Sequence, residues 1–148
     1  MTTSWIVVAH RAGARIFEHG GPGQPLARKD VLDHPRGRAQ DREIDADRPG
    51  RTRAPGASQR HAMEPRETPH EHDAHAFAKE IAKRLTHARG QGELDRLVLV
   101  AEPHFLGYLD AELDAPTQRL VTHRVHKDLA HVSDADIDQH LGGALPTA

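Results

Sequence analysis

LDRLVLVA, at Leu94–Ala101, is the stretch of sequence that decides the fold of this chain. Its second half is apolar at every position, which is the pattern of a strand that is covered on both faces. Such a strand lies in the middle of a sheet and has helices packed on either side of it. We therefore predict that Leu94–Ala101 is a central strand, covered on both faces, of an α/β domain.

Three further strands are predicted upstream, and tight turns join them into a meander. They are the runs Trp5–Ala9, Ala14–Glu18 and Leu26–Leu32. The first is short, apolar and rich in β-branched residues, so we expect it to be buried. Glycine-containing turns at 11–13 and 20–23 separate the runs, and the second strand is expected to run antiparallel to the first. The mixed polarity of the third favours a sheet edge.

The most clearly marked helix of the chain begins at Thr68. Thr68 is a favourable N-cap, Pro69 occupies the first helical position, and Glu71 completes a capping box. Apolar residues then recur at helical spacing as far as Ala88. Gly90 follows, and we predict that it terminates the helix as a C′ glycine.

Two more helices and one more strand complete the pattern. Glu102-Pro103 begins a short apolar helix, Leu120–His126 alternates as a strand, and Ser133 begins a helix that leads to Gly142. The order is therefore β-β-β-α-β-α-β-α. Because strands that alternate with helices run parallel through right-handed crossovers, this order predicts an α/β fold of ribonuclease H-like architecture, a five-stranded mixed sheet with helices on both faces. Residues 1–148 are predicted to form one such domain.

Residues 34–69 interrupt the pattern between the third strand and the first helix. Proline and glycine punctuate this segment, and no apolar period is sustained in it. Because connections this long are usually either functional or disordered, we predict a long, flexible loop. A binding loop and a solvated linker both fit this composition.

The middle of the loop, between Asp47 and Glu64, carries arginine and no acidic residue. Guanidinium groups suit bidentate contacts to phosphate, and the affinity of such contacts falls as salt rises. Codon bias is the alternative explanation for an excess of arginine over lysine. The candidate binding residues of the loop are Arg48, Arg51, Arg53, Gln59, Arg60, His61, Glu64 and Arg66.

Histidines are dense at the start of the predicted long helix. His72 and His75 are spaced i, i+3, so they can share one metal ion, with His61 approaching from the loop. With His70 nearby, zinc or nickel would be the metal. The spacing matches no strong metal motif, and a solvated helix start explains the same residues. No other cofactor is predicted.

The sequence carries no established catalytic pattern. A two-metal nuclease needs converging carboxylates, whereas the first strand ends at His10, and Glu80 and Glu102 are isolated candidates. There is no Gly-x-Ser-x-Gly elbow and no P-loop, and the proximity of Ser58 to His61 in a loop does not make a triad. We predict that the chain is not an enzyme.

Composition limits the compartment and the kind of partner. The net charge of −2 over 148 residues argues against binding a polyanion through bulk charge. The absence of cysteine excludes disulfide scaffolds and thiolate zinc sites. No signal peptide is evident, and no apolar run approaches the roughly 20 residues that cross a bilayer. We therefore predict a soluble cytoplasmic protein without membrane association.

Several stretches resemble one bacterial family over nearly the whole chain. They are VVAHRAGARIFE near the start, DREIDADRPGR at Asp41–Arg51, RHAMEPRETPHEHDAHAFAKEIAKRL at Arg60–Leu85, LDRLVLVAEPHFLGYL at Leu94–Leu109 and HKDLAHVS at His126–Ser133. The chain is similar on these residues to the host attachment proteins, the proteins required for attachment to host cells. That family often has Asp where this chain has His10.

The resemblance also implies a relation to translation. The host attachment family is allied to the middle domain of class I translation release factors, in which a flexible loop before the first long helix carries Gly-Gly-Gln into the peptidyl transferase centre. The loop here has the equivalent position, but the tripeptide is absent. The nearest string, Gly56-Ala57-Ser58-Gln59, is not equivalent to it.

Taken together, these features predict a non-catalytic, host-attachment-type binding protein that acts through its Arg/His-rich loop. A ribosome- or RNA-associated factor of the release-factor type is one alternative, and a metal-dependent hydrolase is another. The expected partner is accordingly the ribosome or RNA, or else a protein. The oligomeric state is not indicated by the sequence.

Overall fold

A computed structural model of the chain describes residues 2–21, 24–35 and 68–145. Its centre is a five-stranded sheet, and the strands are β1 (Ser4–His10), β2 (Gly13–His19), β3 (Ala27–Asp33), β4 (Arg96–Ala101) and β5 (Val121–His126). Their order across the sheet is β3-β2-β1-β4-β5. The strand β2 pairs antiparallel with β1 on one side and with β3 on the other. On the far side of β1, β4 pairs parallel with β1, and β5 pairs parallel with β4. The predicted five-stranded mixed α/β sheet is thereby confirmed, and its more specific ribonuclease H-like topology stays a prediction.

Apolar side chains on both faces of the sheet build two buried clusters. Alternate residues of β1 point to opposite faces, so Trp5 and Val7 lie in one cluster while Ile6 and Val8 lie in the other. The strand β4 divides in the same way, which explains its unbroken apolar run. The first face is covered by α1 (Pro69–Gly90) and α2 (Pro103–Glu112), and α2 is followed by the one-turn helix α3 (Ala115–Gln118). The prediction of a strand covered on both faces is therefore correct for Arg96–Ala101, which lies between β1 and β5, whereas the middle strand of the sheet is β1.

The second face is covered by a segment that contains two 3₁₀ helices, Asp134–His140 and Gly142–Ala144. An α-helix beginning at Ser133 was the prediction here, and it is wrong. The Ser133 side chain makes no capping bond to a helix amide. Its hydroxyl instead donates to the Asp136 carboxylate at 3.2 Å, so the first turn lacks the stabilisation that the sequence suggested. Ile137 and Leu141 still pack against the sheet.

The start of α1 is the capping box that the sequence predicts. The Glu71 amide donates to the Thr68 hydroxyl at 3.0 Å, and the Glu71 carboxylate accepts from the Thr68 amide at 3.4 Å. Its end differs from the prediction, because Gly90 is the last helical residue and Gln91 is the C-cap. Gly92 is the C′ residue, with φ of +70°, and the next amide, that of Glu93, returns to the Ala88 carbonyl at 2.9 Å. This is a Schellman closure, which needs a left-handed residue two positions after Gly90.

No helix among residues 2–21, 24–35 and 68–145 is both long and apolar enough to cross a membrane.

Candidate binding site at the carboxyl edge of the sheet

The strands β1, β4 and β5 are parallel, so their carboxyl ends meet at one edge of the sheet. From β1 the chain continues outward through β2 to β3, and from β4 it continues outward to β5, so the strand order reverses between β1 and β4. Open α/β sheets bind ligands outside the carboxyl ends of their strands at such a switch point. A cleft of about 250 Å³ lies there, lined by His10, Arg11, Glu102, Phe105 and Asp128.

His10 is held at the end of β1 by its own turn. Its Nδ1 accepts the Ala12 amide at 3.2 Å, so the neutral ring carries its proton on Nε2. The ring also lies close to Gly13, where an added Cβ would come within 3.5 Å of Nε2 and 3.3 Å of the Leu32 carbonyl. The contact with the Leu32 carbonyl is the tight one, so the glycine allows the close approach of β3, whereas the His10 ring lies at an ordinary contact distance.

Glu102, which follows β4, has a structural role. Its Oε1 accepts the Phe105 amide at 2.7 Å and its Oε2 accepts the His104 amide at 3.0 Å. Both carboxylate oxygens thus cap α2, where a negative charge also favours the positive end of the helix dipole. Asp128 similarly accepts the Ala130 amide at 3.0 Å, which closes a local turn after β5. The carboxylates of Glu102 and Asp128 therefore act as hydrogen-bond acceptors for backbone amides.

Both ends of the predicted loop, residues 34–69, are fixed at this same edge. Asp33, the last residue of β3, pairs with Gly13 beside His10. The His34 amide donates to the Ala12 carbonyl at 3.0 Å, and the His34 ring stacks on Phe77 of α1 with centroids 4.7 Å apart. A short connection joins the end of α1 to the amino end of β4, so the start of α1 lies at the carboxyl edge.

A contact between α1 and α2 secures the point at which the segment re-enters the described structure. The Tyr108 hydroxyl of α2 donates to the Glu71 carboxylate at 3.3 Å. The backbone amide and hydroxyl of Thr68, with a smaller contribution from Tyr108, lower the pKa of Glu71 below its ordinary value. The capping carboxylate consequently stays charged, and continues to accept these bonds, at a more acidic pH than an ordinary glutamate would.

The predicted loop residues lie outside the described part of the chain. They are Arg48, Arg51, Arg53, Gln59, Arg60, His61, Glu64 and Arg66.

The predicted metal ligands of α1 are described, and they differ in their surroundings. His72 is exposed, whereas the His75 ring is partly buried and meets the edge of Tyr108 at a centroid distance of 3.9 Å. Across the ranges that the structure describes, no three His, Asp or Glu side chains come together in a way that could hold a metal ion. The site that combines His72 and His75 with His61 stays a prediction, because His61 lies outside those ranges.

Arg15 is a residue that sequence reasoning missed. Its Nη2 donates to the Leu129 carbonyl at 2.7 Å, and its Nη1 donates to the Val132 carbonyl at 2.7 Å and to the Asp134 carboxylate at 2.9 Å. The side chain thus fastens the segment after β5 to the sheet. A signal was present in the sequence, since Arg15 is a charged residue inside the apolar alternation of β2.

A protein-family model described as "Protein required for attachment to host cells" matches residues 5–141. Two solved structures are similar to the chain at low identity. An "Archaeal protein" shares 12% identity at a TM-score of 0.45, over 93% of this chain and 36% of its own. The archaeal translation termination factor aRF1 shares 14% identity at a TM-score of 0.43, over 96% of this chain and 34% of its own. The chain thus spans about a third of the length of these proteins. No curated protein matches it.

Proposed function

Since this chain belongs to the family of proteins required for attachment to host cells, we propose that it is a non-catalytic binding protein whose residues 34–69 contact a partner at the carboxyl edge of the sheet. The observation that carries the proposal is the joint anchoring of His34 and Thr68. The stack of His34 on Phe77 and the capping box at Thr68 hold the two ends of the segment on one rigid scaffold. Binding segments are commonly presented by rigid elements in this way.

The composition of the segment indicates the chemistry of the partner. Four arginines, at positions 48, 51, 53 and 60, stand together without an acidic residue between them. Such a stretch favours phosphate groups, so we propose RNA or the ribosome, met in the cytoplasm, as the partner. A protein partner is the alternative outcome of the test.

The binding role is supported over a catalytic one by the state of Glu102. An acid at the carboxyl end of β4 would be a natural catalytic group, but both carboxylate oxygens of Glu102 cap α2. A metal-dependent hydrolase remains testable on the intact protein. Stoichiometric zinc or nickel by elemental analysis, lost on His72→Ala, would favour it over the binding role.

Co-sedimentation with ribosomes tests the proposal. We expect wild type to sediment with ribosomes at low salt and to be released as salt rises. The variant Arg48→Ala/Arg51→Ala/Arg53→Ala should bind more weakly, and each lost phosphate contact should reduce the slope of log affinity against log salt by roughly 0.7–0.9.

A matched control removes three positive charges elsewhere. Lys83, Arg96 and Arg119 are exposed, and the last two lie near the amino ends of β4 and β5, at the opposite edge of the sheet. Their triple replacement by alanine should leave sedimentation unchanged. Equal weakening in both triple variants would mean that net charge, and not residues 34–69, governs binding. Wild type that stays in the supernatant at low salt would exclude the ribosome as the partner.

A further inference from the structure

A second cleft, of about 560 Å³, separates the β-meander from residues 130–134. Three charged side chains meet in it: Arg15 of β2, Arg28 of β3, and Asp134 at the start of the first 3₁₀ helix. The Arg15 Nη1 atom lies 2.9 Å from Oδ1 of Asp134, and the Arg28 Nη1 atom lies 3.2 Å from Oδ2. Each oxygen of one carboxylate therefore faces a different guanidinium group.

Arg15 does not depend on Asp134 for its position. The carbonyls of Leu129 and Val132 each accept a bond of 2.7 Å from it, and its side chain is only 17% exposed. These carbonyls would keep the guanidinium oriented if the Asp134 side chain turned away. Arg28 is the adaptable partner, since its side chain is 54% exposed. When such a pair binds a ligand, the loss of side-chain entropy is small, because only Arg28 has to become ordered.

We propose that Arg15 and Arg28 form a binding cradle for a phosphate group, and that the carboxylate of Asp134 occupies this cradle in the resting protein. Phosphate offers more acceptor oxygens and more negative charge to two guanidinium groups than a carboxylate does. The Asp134 side chain is 40% exposed. Ion pairs with this exposure are weak, so an incoming phosphate can displace it.

Asp134 controls whether the cradle can bind an anion, because its negative charge partly neutralises the cradle. Its carboxylate bridges both arginines, whereas Asp33 lines the same cleft five residues farther along β3 than Arg28. Displacement of Asp134 leaves a positive excess that favours an anion. Arg28 is the second residue of β3, so the cradle lies toward the amino end of that strand, while the cleft extends to Asp33 and shares His10 with the candidate site. None of the cradle residues belongs to the 34–69 segment. Its failure would therefore leave the proposed function standing, and the reverse also holds.

The test is titration of inorganic phosphate into the full chain at low salt, followed by calorimetry or by NMR shifts. Asp134→Asn removes the competing charge, and its amide oxygen can still accept a bond from Arg15. We expect this variant to bind phosphate about fivefold more tightly than wild type. Arg28→Gln, at a half-exposed position, should abolish binding while the melting temperature confirms that the chain is folded.

Asp136→Asn is the matched control. It removes the same charge two residues away, from a carboxylate that faces the Ser133 hydroxyl and lies outside the cradle. Phosphate affinity should stay at the wild-type level in this variant. An equal gain in the Asp134 and Asp136 variants, no gain in the Asp134 variant, or unchanged binding in Arg28→Gln would each overturn the proposal.

A second titrant identifies the source of the phosphate. A short single-stranded RNA that also binds more tightly to Asp134→Asn would identify a nucleic-acid backbone as the ligand. A gain for inorganic phosphate alone would identify a free phosphate or a small phosphorylated molecule. Both results support the cradle and differ only in what fills it.

Discussion

Thr68→Ala removes the side-chain hydroxyl of Thr68, on which both the start of α1 and the anchoring of the 34–69 segment depend. The Thr68 hydroxyl accepts the Glu71 amide at 3.0 Å and donates to the Glu71 carboxylate at 3.1 Å. Alanine keeps the backbone amide, whose bond to that carboxylate is long at 3.4 Å. The substitution therefore removes the stronger half of the capping box and leaves the weaker half.

The expected cost follows from measured N-caps. Loss of a threonine cap lowers the free energy of unfolding by about 1 kcal/mol, within a range of roughly 0.5–2 kcal/mol. For a chain of this length, that loss corresponds to a fall of about 2–4 °C in melting temperature. The pKa of Glu71 should rise toward its ordinary value of 4.5, because the hydroxyl is one of the groups that lower it.

Urea unfolding monitored by tryptophan fluorescence measures the first effect, because Trp5 is the single tryptophan and is fully buried. NMR titration of the Glu71 carboxyl measures the second. Thr86→Ala, in the interior of α1, removes the same atoms without touching a cap, and the higher helix propensity of alanine should leave stability equal or slightly raised. Equal losses in the two variants, or an unchanged Glu71 pKa in Thr68→Ala, would refute the capping argument.

Three further predictions follow from the same structure. Gly92→Ala should destabilise the chain by about 1 kcal/mol because its φ of +70° disfavours a side chain, whereas Gly90→Ala inside the helix should stabilise it slightly; thermal melts distinguish them. Leu99→Ala, at a fully buried position of β4, should cost about 2–5 kcal/mol in urea unfolding. The hydrogen bond from Arg84, at 2.8 Å, lowers the pKa of Asp30 below 3.8, so its stabilisation is present above that value and lost as pH falls through the lowered pKa. Asp30→Asn should therefore lower the melting temperature at pH 7 by a small amount, and the difference from wild type should close in strong acid; a constant difference would contradict this assignment.

Local patterns in the sequence were sufficient to place most elements. The capping box at Thr68 and the apolar run of β4 are decided by neighbours within one turn or one strand, and both were predicted correctly. The end of α1 was misplaced because two glycines, Gly90 and Gly92, stand close together. Which of them adopts the left-handed conformation depends on where the helix meets β4.

The candidate site was less accessible from sequence. Glu102 looked like an isolated acid after a buried strand, and only its distances to the amides of α2 identify it as a cap. Residues 36–67, which contain all the loop residues predicted to bind, lie outside the described structure, so the sequence remains the basis for that part of the proposal.

By itself, the sequence determined the α/β class, the start of the long helix and the buried inner strand β4. These follow from hydrophobic period and backbone capping, which act over a few residues. Tertiary structure decided the contacts between residues far apart in the chain. Arg15 meets Asp134 across 119 positions, and His34 meets Phe77 only because β3 and the start of α1 share one edge of the sheet. Such pairs are determined by the packing of the whole sheet. A local sequence pattern does not indicate which side chain from a distant part of the chain will contact a given residue.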